Sequence, residues 1–261
     1  MSLLCKKICR CAQEGVNRRG TNEWEMLLED ASANPDAVIK AHGMKRTVKA
    51  WIDPWGYVCL REYRWDLKRK LETLVRRSRG ERIWEYAPVL LEKGVLVQMP
   101  LVFFEKRYVG VLAKTWLATA WLEEKIDLGS LAMDLQFRTT SEFSFLLHNS
   151  AKMVARLHNA GFLHGDLKWS NFLCIEDRSR VLLSDLDGIR RSRSKRLKAR
   201  DFARFVLSVF QYALKEELAE SLINTYVSAS ENPDHDLTNL VASNVSKRRA
   251  YYLNKPLLPP T

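Results

Sequence analysis

His164-Gly165-Asp166-Leu167-Lys168-Trp169-Ser170-Asn171, followed after a short apolar strand by Ser184-Asp185-Leu186-Asp187-Gly188, is the stretch that decides how this 261-residue chain is read. Moving a phosphoryl group onto a hydroxyl needs a carboxylate beside the hydroxyl, cationic groups on the phosphate oxygens, and oxygen ligands for magnesium. In that chemistry Asp166 accepts the hydroxyl proton, Lys168 offsets charge on the transferred group, and Asn171 holds Mg2+ through its side-chain oxygen. Asp185, on the loop after Val181–Leu183, is the expected principal metal ligand, with Asp187 as a second. Magnesium follows from a donor set made of oxygens alone. Taken singly, either segment also reads as a polar turn, because Asp, Asn and Gly are turn formers. Both together, behind a helix, favour the chemical reading.

Working outward, Phe143, Leu146, Leu147, Met153, Val154 and Leu157 recur at helical spacing between Glu142 and Asn159, and Gly161 is placed to end that helix. Phe162–Leu163, Phe172–Ile175 and Val181–Leu183 read as short strands, and Phe202 to Ser228 as helix. Nearer the start, after an amphipathic opening, Val38–Lys40 and Thr47–Ile52 read as strands. The turn Asp53-Pro54-Trp55-Gly56 then leads into Tyr57–Tyr63. Lys68 to Lys93 reads as a basic helix with a kink or break at Pro88, before strands near Val95–Phe104 and Thr115–Leu122. This order predicts an α+β protein, with a strand-rich half over 1–122, a helix-rich half over 123–261 and a cleft between them. Pro256, Pro259 and Pro260 mark a loose tail.

The run Leu157-His158-Asn159-Ala160-Gly161-Phe162-Leu163-His164-Gly165-Asp166-Leu167-Lys168 resembles the catalytic-loop approach of kinase-fold enzymes. It most resembles that of the bacterial lipopolysaccharide kinase family, over roughly Val38 to Phe210 and most firmly over Ala151–Phe210. The resemblance implies a two-lobed protein-kinase-like fold, with a small antiparallel-sheet N-lobe and a mainly helical C-lobe. It also implies transfer from ATP, with Mg2+, to a sugar hydroxyl of heptose or Kdo in the lipopolysaccharide inner core. Lys198-Ala199-Arg200-Asp201-Phe202-Ala203-Arg204-Phe205 is similar to the family segment where an aspartate braces the catalytic loop, a role that falls to Asp201. Asp201 also reads as a helix N-cap before Phe202 and Phe205.

Kinase-fold enzymes carry a lysine on the third strand that holds the nucleotide phosphates, paired with a glutamate from the next helix. Arg61, in Tyr57–Tyr63, stands at that place, with Lys49 on the preceding strand as the alternative clamp. Glu81 is the preferred helix partner, and Glu85 lies one turn further on. Arginine keeps the charge but is not equivalent to lysine. That departure keeps two other readings open: a protein or small-molecule kinase of the same fold, and a non-catalytic binding module. Ala41-His42-Gly43-Met44 is a weakly marked phosphate loop with one glycine.

A net charge of +11 calls for an anionic partner, and 46% hydrophobic residues are enough for a sizeable core. The run Lys68, Arg69, Lys70, Arg76, Arg77, Arg79 and Arg82 reads as an exposed helix face. Arg190, Arg191, Arg193, Lys195, Arg196, Lys198 and Arg200 directly follow the metal loop. There they suit a phosphorylated or carboxylated glycan acceptor, free or lipid-linked, beside an anionic leaflet. Nucleic acid is not the expected partner, since Trp51, Trp65, Trp84, Trp116 and Trp121 lie among apolar residues and read as packing residues. Trp169 either packs under the catalytic loop or borders the acceptor. Five cysteines, an odd number without a secretory signal, point to reduced thiols in the cytoplasm. With no apolar run of membrane-spanning length, contact with the inner membrane is expected to be peripheral, on its cytoplasmic face.

Overall fold

A computed structural model of the chain describes residues 5–12, 19–34, 36–42, 45–64, 74, 77–175, 178, 180–231, 233 and 235–254. Lys68, Arg69, Lys70 and Arg76 of the first basic run, Trp65, the Gly43-Met44 pair and the three tail prolines lie outside them. The chain forms two compact units, Met1–Pro88 with Gln98–Glu123, and Val89–Val97 with Glu124–Thr261.

The first unit is built on alternation. Its strands are β1 (Cys5–Cys11), β2 (Val38–His42), β3 (Lys45–Ile52), β4 (Gly56–Tyr63), β5 (Pro100–Tyr108) and β6 (Val111–Ala120). They form one sheet in the order β1-β5-β6-β4-β3-β2, antiparallel at every pairing. Successive strand side chains point to opposite faces. One face therefore collects Val48, Ala50, Ile52, Val58 and Leu60 with Val102, Phe104, Trp116 and Ala118. Helix α1 (Thr21–Ala33) covers it with Trp24 and Leu28, one turn apart on the same stripe. The register Lys49↔Cys59 and Arg61↔Leu117 puts Lys49 and Arg61 together on the other face. There helix α2 (Arg79–Glu92) brings Trp84 to 6.4 Å from Phe103. The close approach needs Gly80, since a Cβ at that position would stand 2.8 Å from Thr115 Cγ2.

The second unit is mainly helical. It runs through β7 (Ile126–Asp127), α3 (Leu128–Met133), α4 (Ser141–Asn159), β8 (Phe162–Leu163), β9 (Phe172–Ile175), β10 (Arg180–Leu183), β11 (Arg190–Arg191), α5 (Lys195–Gln211), α6 (Glu216–Ser228) and α7 (His235–Leu253). Its strands form two small sheets, β10-β9-β7 and β11-β8. Helix α4 begins where Thr140 Oγ1 accepts the Phe143 N–H at 3.2 Å. It ends where Gly161 turns left-handed at φ 81°. Phe143, Leu146, Leu147, Met153, Val154 and Leu157, the six residues read as its apolar stripe, are all buried. The α+β class and the antiparallel first unit are as the sequence predicts.

Four local readings change. The amphipathic opening holds helix α1, and ahead of it strand β1 on the sheet edge beside β5, which no reading anticipated. The apolar run Val95–Phe104 divides between the units. Val97 makes a single parallel bridge to Leu183, and strand β5 starts only at Pro100. The helix expected over Phe202–Ser228 begins earlier, at Lys195, and breaks between α5 and α6 at Ala213, whose φ is 51°. No glycine or proline signals that break. Helix α7 was not read at all, because its sequence carries no marked apolar stripe, and only Leu237, Val241 and Val245 are buried. Trp51, read as a packing residue, is 60% exposed, since it falls on an outward position of β3.

Trp24→Ala removes the largest side chain joining α1 to the sheet and is expected to cost about 3–5 kcal/mol. A denaturant titration of the full chain checks this as a lowered midpoint, and an unchanged midpoint would contradict the core as described.

Candidate active site

The loop after β8 is positioned by a carboxylate from another element. Asp201, in α5, is 8% exposed and accepts two backbone N–H groups of the loop, His164 at 2.8 Å and Gly165 at 2.9 Å. It sits well inside α5, whose N-cap is Ser194, so the N-cap reading of Asp201 does not hold. His158 Nε2 lies 3.3 Å from Asp201 Oδ2, and His158 Nδ1 lies 2.7 Å from the Tyr226 hydroxyl. Burial alone would raise the Asp201 pKa, but the hydrogen bonds from His158 and from the loop backbone outweigh it and hold the carboxyl below its ordinary value. Burial pushes the His158 pKa down, and burial pushes the Tyr226 phenol up. A neutral His158 thus donates from Nε2 to the carboxylate and accepts the tyrosine proton at Nδ1.

His164 joins this loop to the next. Its Nε2 lies 2.8 Å from the Ser184 carbonyl oxygen, and its Nδ1 lies 3.3 Å from the Asp166 N–H, which places the ring proton on Nε2. Ser184 in turn donates both its N–H and its hydroxyl to the Asn171 carbonyl, at 2.8 and 3.0 Å. The chain then passes through Asp185 at φ 53°, ψ 57°, into a tight turn over Leu186–Gly188. Two glycines let these loops touch. Gly165 takes φ 90°, and a Cβ on Gly188 would stand 2.6 Å from the His164 carbonyl oxygen.

On this frame Asp166 is 49% exposed, with Lys168 Nζ 3.3 Å from its Oδ2 and Arg204 Nε 3.9 Å from its Oδ1. Asn171 donates Nδ2–H to the Asp166 carbonyl at 2.7 Å, which turns its Oδ1 away as the donor left for a cation. Asp166, Lys168, Asn171, Asp185 and Asp187 therefore fall on two loops tied by hydrogen bonds. The side-chain oxygens of Asn171, Asp185 and Asp187 fit magnesium, which takes few protein ligands and completes its shell with phosphates and water. Among the described residues no cluster of three His, Cys, Asp or Glu offers a closed protein cage. Trp169 packs beneath the loop, fully buried and stacked on Tyr212 at 5.5 Å, with Phe143 and Phe205 at its edges.

The remaining candidates belong to the first unit. Lys49 Nζ lies 3.2 Å from Glu123 Oε1, over the rings of Tyr57 and Trp121 at 4.3 and 4.8 Å. Arg61 is two residues along the same face, on β4. Glu81 and Glu85 both face Arg10 of β1, at 4.0 and 3.9 Å, and Glu85 also pairs with Arg77. Sequence reasoning missed His158, His164, Tyr226 and Arg204. Both histidines and Arg204 stand in segments already quoted, and Tyr226 carries no such signal.

The chain is similar to several known proteins. The family model described as lipopolysaccharide kinase (Kdo/WaaP) matches residues 66–226, more than half of the chain. No curated protein sequence matches. Among solved structures, one titled "WaaP in complex with acyl carrier protein" is similar at TM-score 0.69 and 19% identity, covering 95% of this chain and 100% of that one. The PknI kinase domain of Mycobacterium tuberculosis follows at TM-score 0.46 and 14% identity, covering 79% of this chain and 93% of that one. The first match shows the shared fold, and the second adds nothing to it.

Asp201→Ala strips the partner from two loop N–H groups and from His158, and is expected to destabilise the protein by about 3–5 kcal/mol. His158 and Asp201 both bind protons more weakly folded than unfolded. Their stabilisation is complete above about 6.5, the ordinary histidine value, and is lost as pH falls, through His158 first and through Asp201 below its ordinary 3.8. A melting temperature that stays level from about pH 7 down to about pH 5 would contradict this wiring.

Proposed function

The chain belongs to the lipopolysaccharide kinase (Kdo/WaaP) family, and from that premise we propose that it uses ATP and Mg2+ to phosphorylate a hydroxyl of heptose or Kdo in the lipopolysaccharide inner core. The observation that carries the reading is the Asp166, Lys168 and Asn171 constellation. One carboxylate meets the lysine at 3.3 Å, and the asparagine amide clamps that aspartate's own carbonyl at 2.7 Å.

In this mechanism Asp166 orients the acceptor hydroxyl and takes its proton as the new bond forms. Lys168, already beside that carboxylate, offsets negative charge on the group in transit. Asn171 and Asp185 would hold Mg2+, with Asp187 as a second ligand. Arg61, or Lys49 as the alternative clamp, would hold the nucleotide phosphates, with Glu81 on α2 as the helix partner of that cation. Bound ATP and Mg2+ supply the phosphoryl group and neutralise its oxygens. Because the loop is held by Asp201, His164 and the two glycines, these groups need little reorganisation when substrate arrives.

The cytoplasm, where ATP is available, is the proposed location, with peripheral contact at the inner membrane through the basic surface. Among the described residues no helix is long and apolar enough to cross a membrane. The acceptor is an anionic glycan, free or lipid-linked. The WaaP structure was captured with acyl carrier protein, and we extend that partner to this chain. The test is co-elution of the two purified proteins in gel filtration, and separate elution at every ratio would remove carrier protein from the proposal.

Asp166→Ala is expected to lower transfer by about 10²–10⁴-fold while ATP still binds. Labelled ATP and Mg2+, offered with lipopolysaccharide core, with a generic protein and with no acceptor, reads this directly. Label on the glycan alone supports the proposal. Label on the protein instead points to a protein kinase, and absence of nucleotide binding points to a binding module. Near-normal turnover by the variant would remove Asp166 from its role.

A further inference from the structure

Beside Asp166 the second unit has a half-open cavity of about 240 Å³ whose walls include Asp166, Asp201, Arg190, Arg200, Arg204 and Arg248. The four arginines come from three elements. Arg190 opens β11, Arg200 and Arg204 stand one turn apart on α5, and Arg248 belongs to α7. Like charges gathered this way repel, both along a helix at i and i+4 and across a cavity. The two carboxylates in the wall are engaged elsewhere. Asp201 receives the loop N–H groups and His158, and Asp166 pairs with Lys168. Arg204 Nε stays 3.9 Å from Asp166 Oδ1, and its Nη1 is buried with no hydrogen-bond partner among the described residues. Folded proteins seldom leave such a donor unmet.

We propose that this cavity binds a phosphate carried by the acceptor itself. The inference rests on the phosphotransferase reading above and adds which residues recognise the acceptor and by what group. Guanidinium forks match phosphate oxygens bidentately. The cavity is smaller than the roughly 300–1,000 Å³ of a drug-sized pocket and suits a small charged group. Since Asp166 lines the same space, an anion held by the arginines sets the distance from the acceptor's charged group to the hydroxyl at Asp166. Arg190 and Arg200 thus act as walls of a site, not as part of a solvated loop. Arg204 and Arg248, outside that basic run, complete it.

The experiment has two arms. In the first, the full chain is titrated with inorganic phosphate and followed by melting temperature. The expected result is a saturable rise, with affinity about tenfold or more weaker in Arg248→Gln. Arg249→Gln, which alters the neighbouring arginine paired with Glu216, keeps the wild-type affinity. Equal phosphate affinity in the wild type and Arg248→Gln overturns the site.

The second arm measures transfer to an acceptor glycan before and after enzymatic removal of its own phosphate. Arg248→Gln raises KM for the native acceptor about tenfold or more, leaves KM for ATP within about twofold, and no longer distinguishes the two glycans. Inorganic phosphate competes with the acceptor. Phosphate that competes with ATP instead, or a wild type indifferent to the removal, overturns the assignment to the acceptor. Absence of transfer to any glycan overturns the proposed function and that assignment together, while the phosphate titration still decides the site itself.

Discussion

The Asp201 carboxylate is the constraint from which the rest of the site follows. A buried carboxylate is tolerated only when donors surround it. Here the donors are the His164 and Gly165 backbone and His158, itself braced by Tyr226. Helix α5 supplies the anion, α4 the histidine and α6 the tyrosine, so three helices fix one short loop. Asp201 acts on the loop through its backbone N–H groups, and His158 acts through Asp201. Their effect is to leave Asp166 at one position, half exposed, with Lys168 beside it.

From that anchor the geometry passes to the second loop through His164 and Ser184. The imidazole accepts from the Asp166 N–H and donates to the Ser184 carbonyl, and Ser184 returns two hydrogen bonds to the Asn171 carbonyl. The proposed base and the proposed metal ligands are therefore parts of one hydrogen-bonded closure. Gly188 is needed for a different reason from Gly165. Gly165 must take a left-handed backbone, whereas Gly188 must lack a side chain because the His164 carbonyl occupies its place.

The same closure decides where positive charge gathers. Arg190 follows the Asp185–Gly188 loop on a strand paired to β8, and Arg204 lies one turn beyond Asp201. Holding the loop by α5 therefore also brings guanidinium groups to Asp166. In a phosphotransferase of this family that is charge placed beside the group proposed to handle the acceptor.

Much of this was legible in residues alone. Alternation in β3 and β4, the apolar stripe of α4 and the glycine after it are local signals, because the period of a strand or helix is set by its own backbone. The spacing of Asp166, Lys168 and Asn171 is local too. Asp201 was legible only by resemblance, since an aspartate ahead of phenylalanines reads equally well as a cap, and the structure assigns that task to Ser194. Other features had no local signal. The division of Val95–Phe104 depends on which unit buries each residue, and the break at Ala213 follows from packing. Helix α7, with little apolar periodicity, is held by its neighbours, and through it Arg248 reaches a cavity formed by residues far distant in sequence. The sequence by itself thus determined the spacing of the loop residues and the class of the fold. Tertiary structure alone decided what holds the loop and which arginines face it, because hydrogen bonds and charge convergence between distant segments leave no period in a chain.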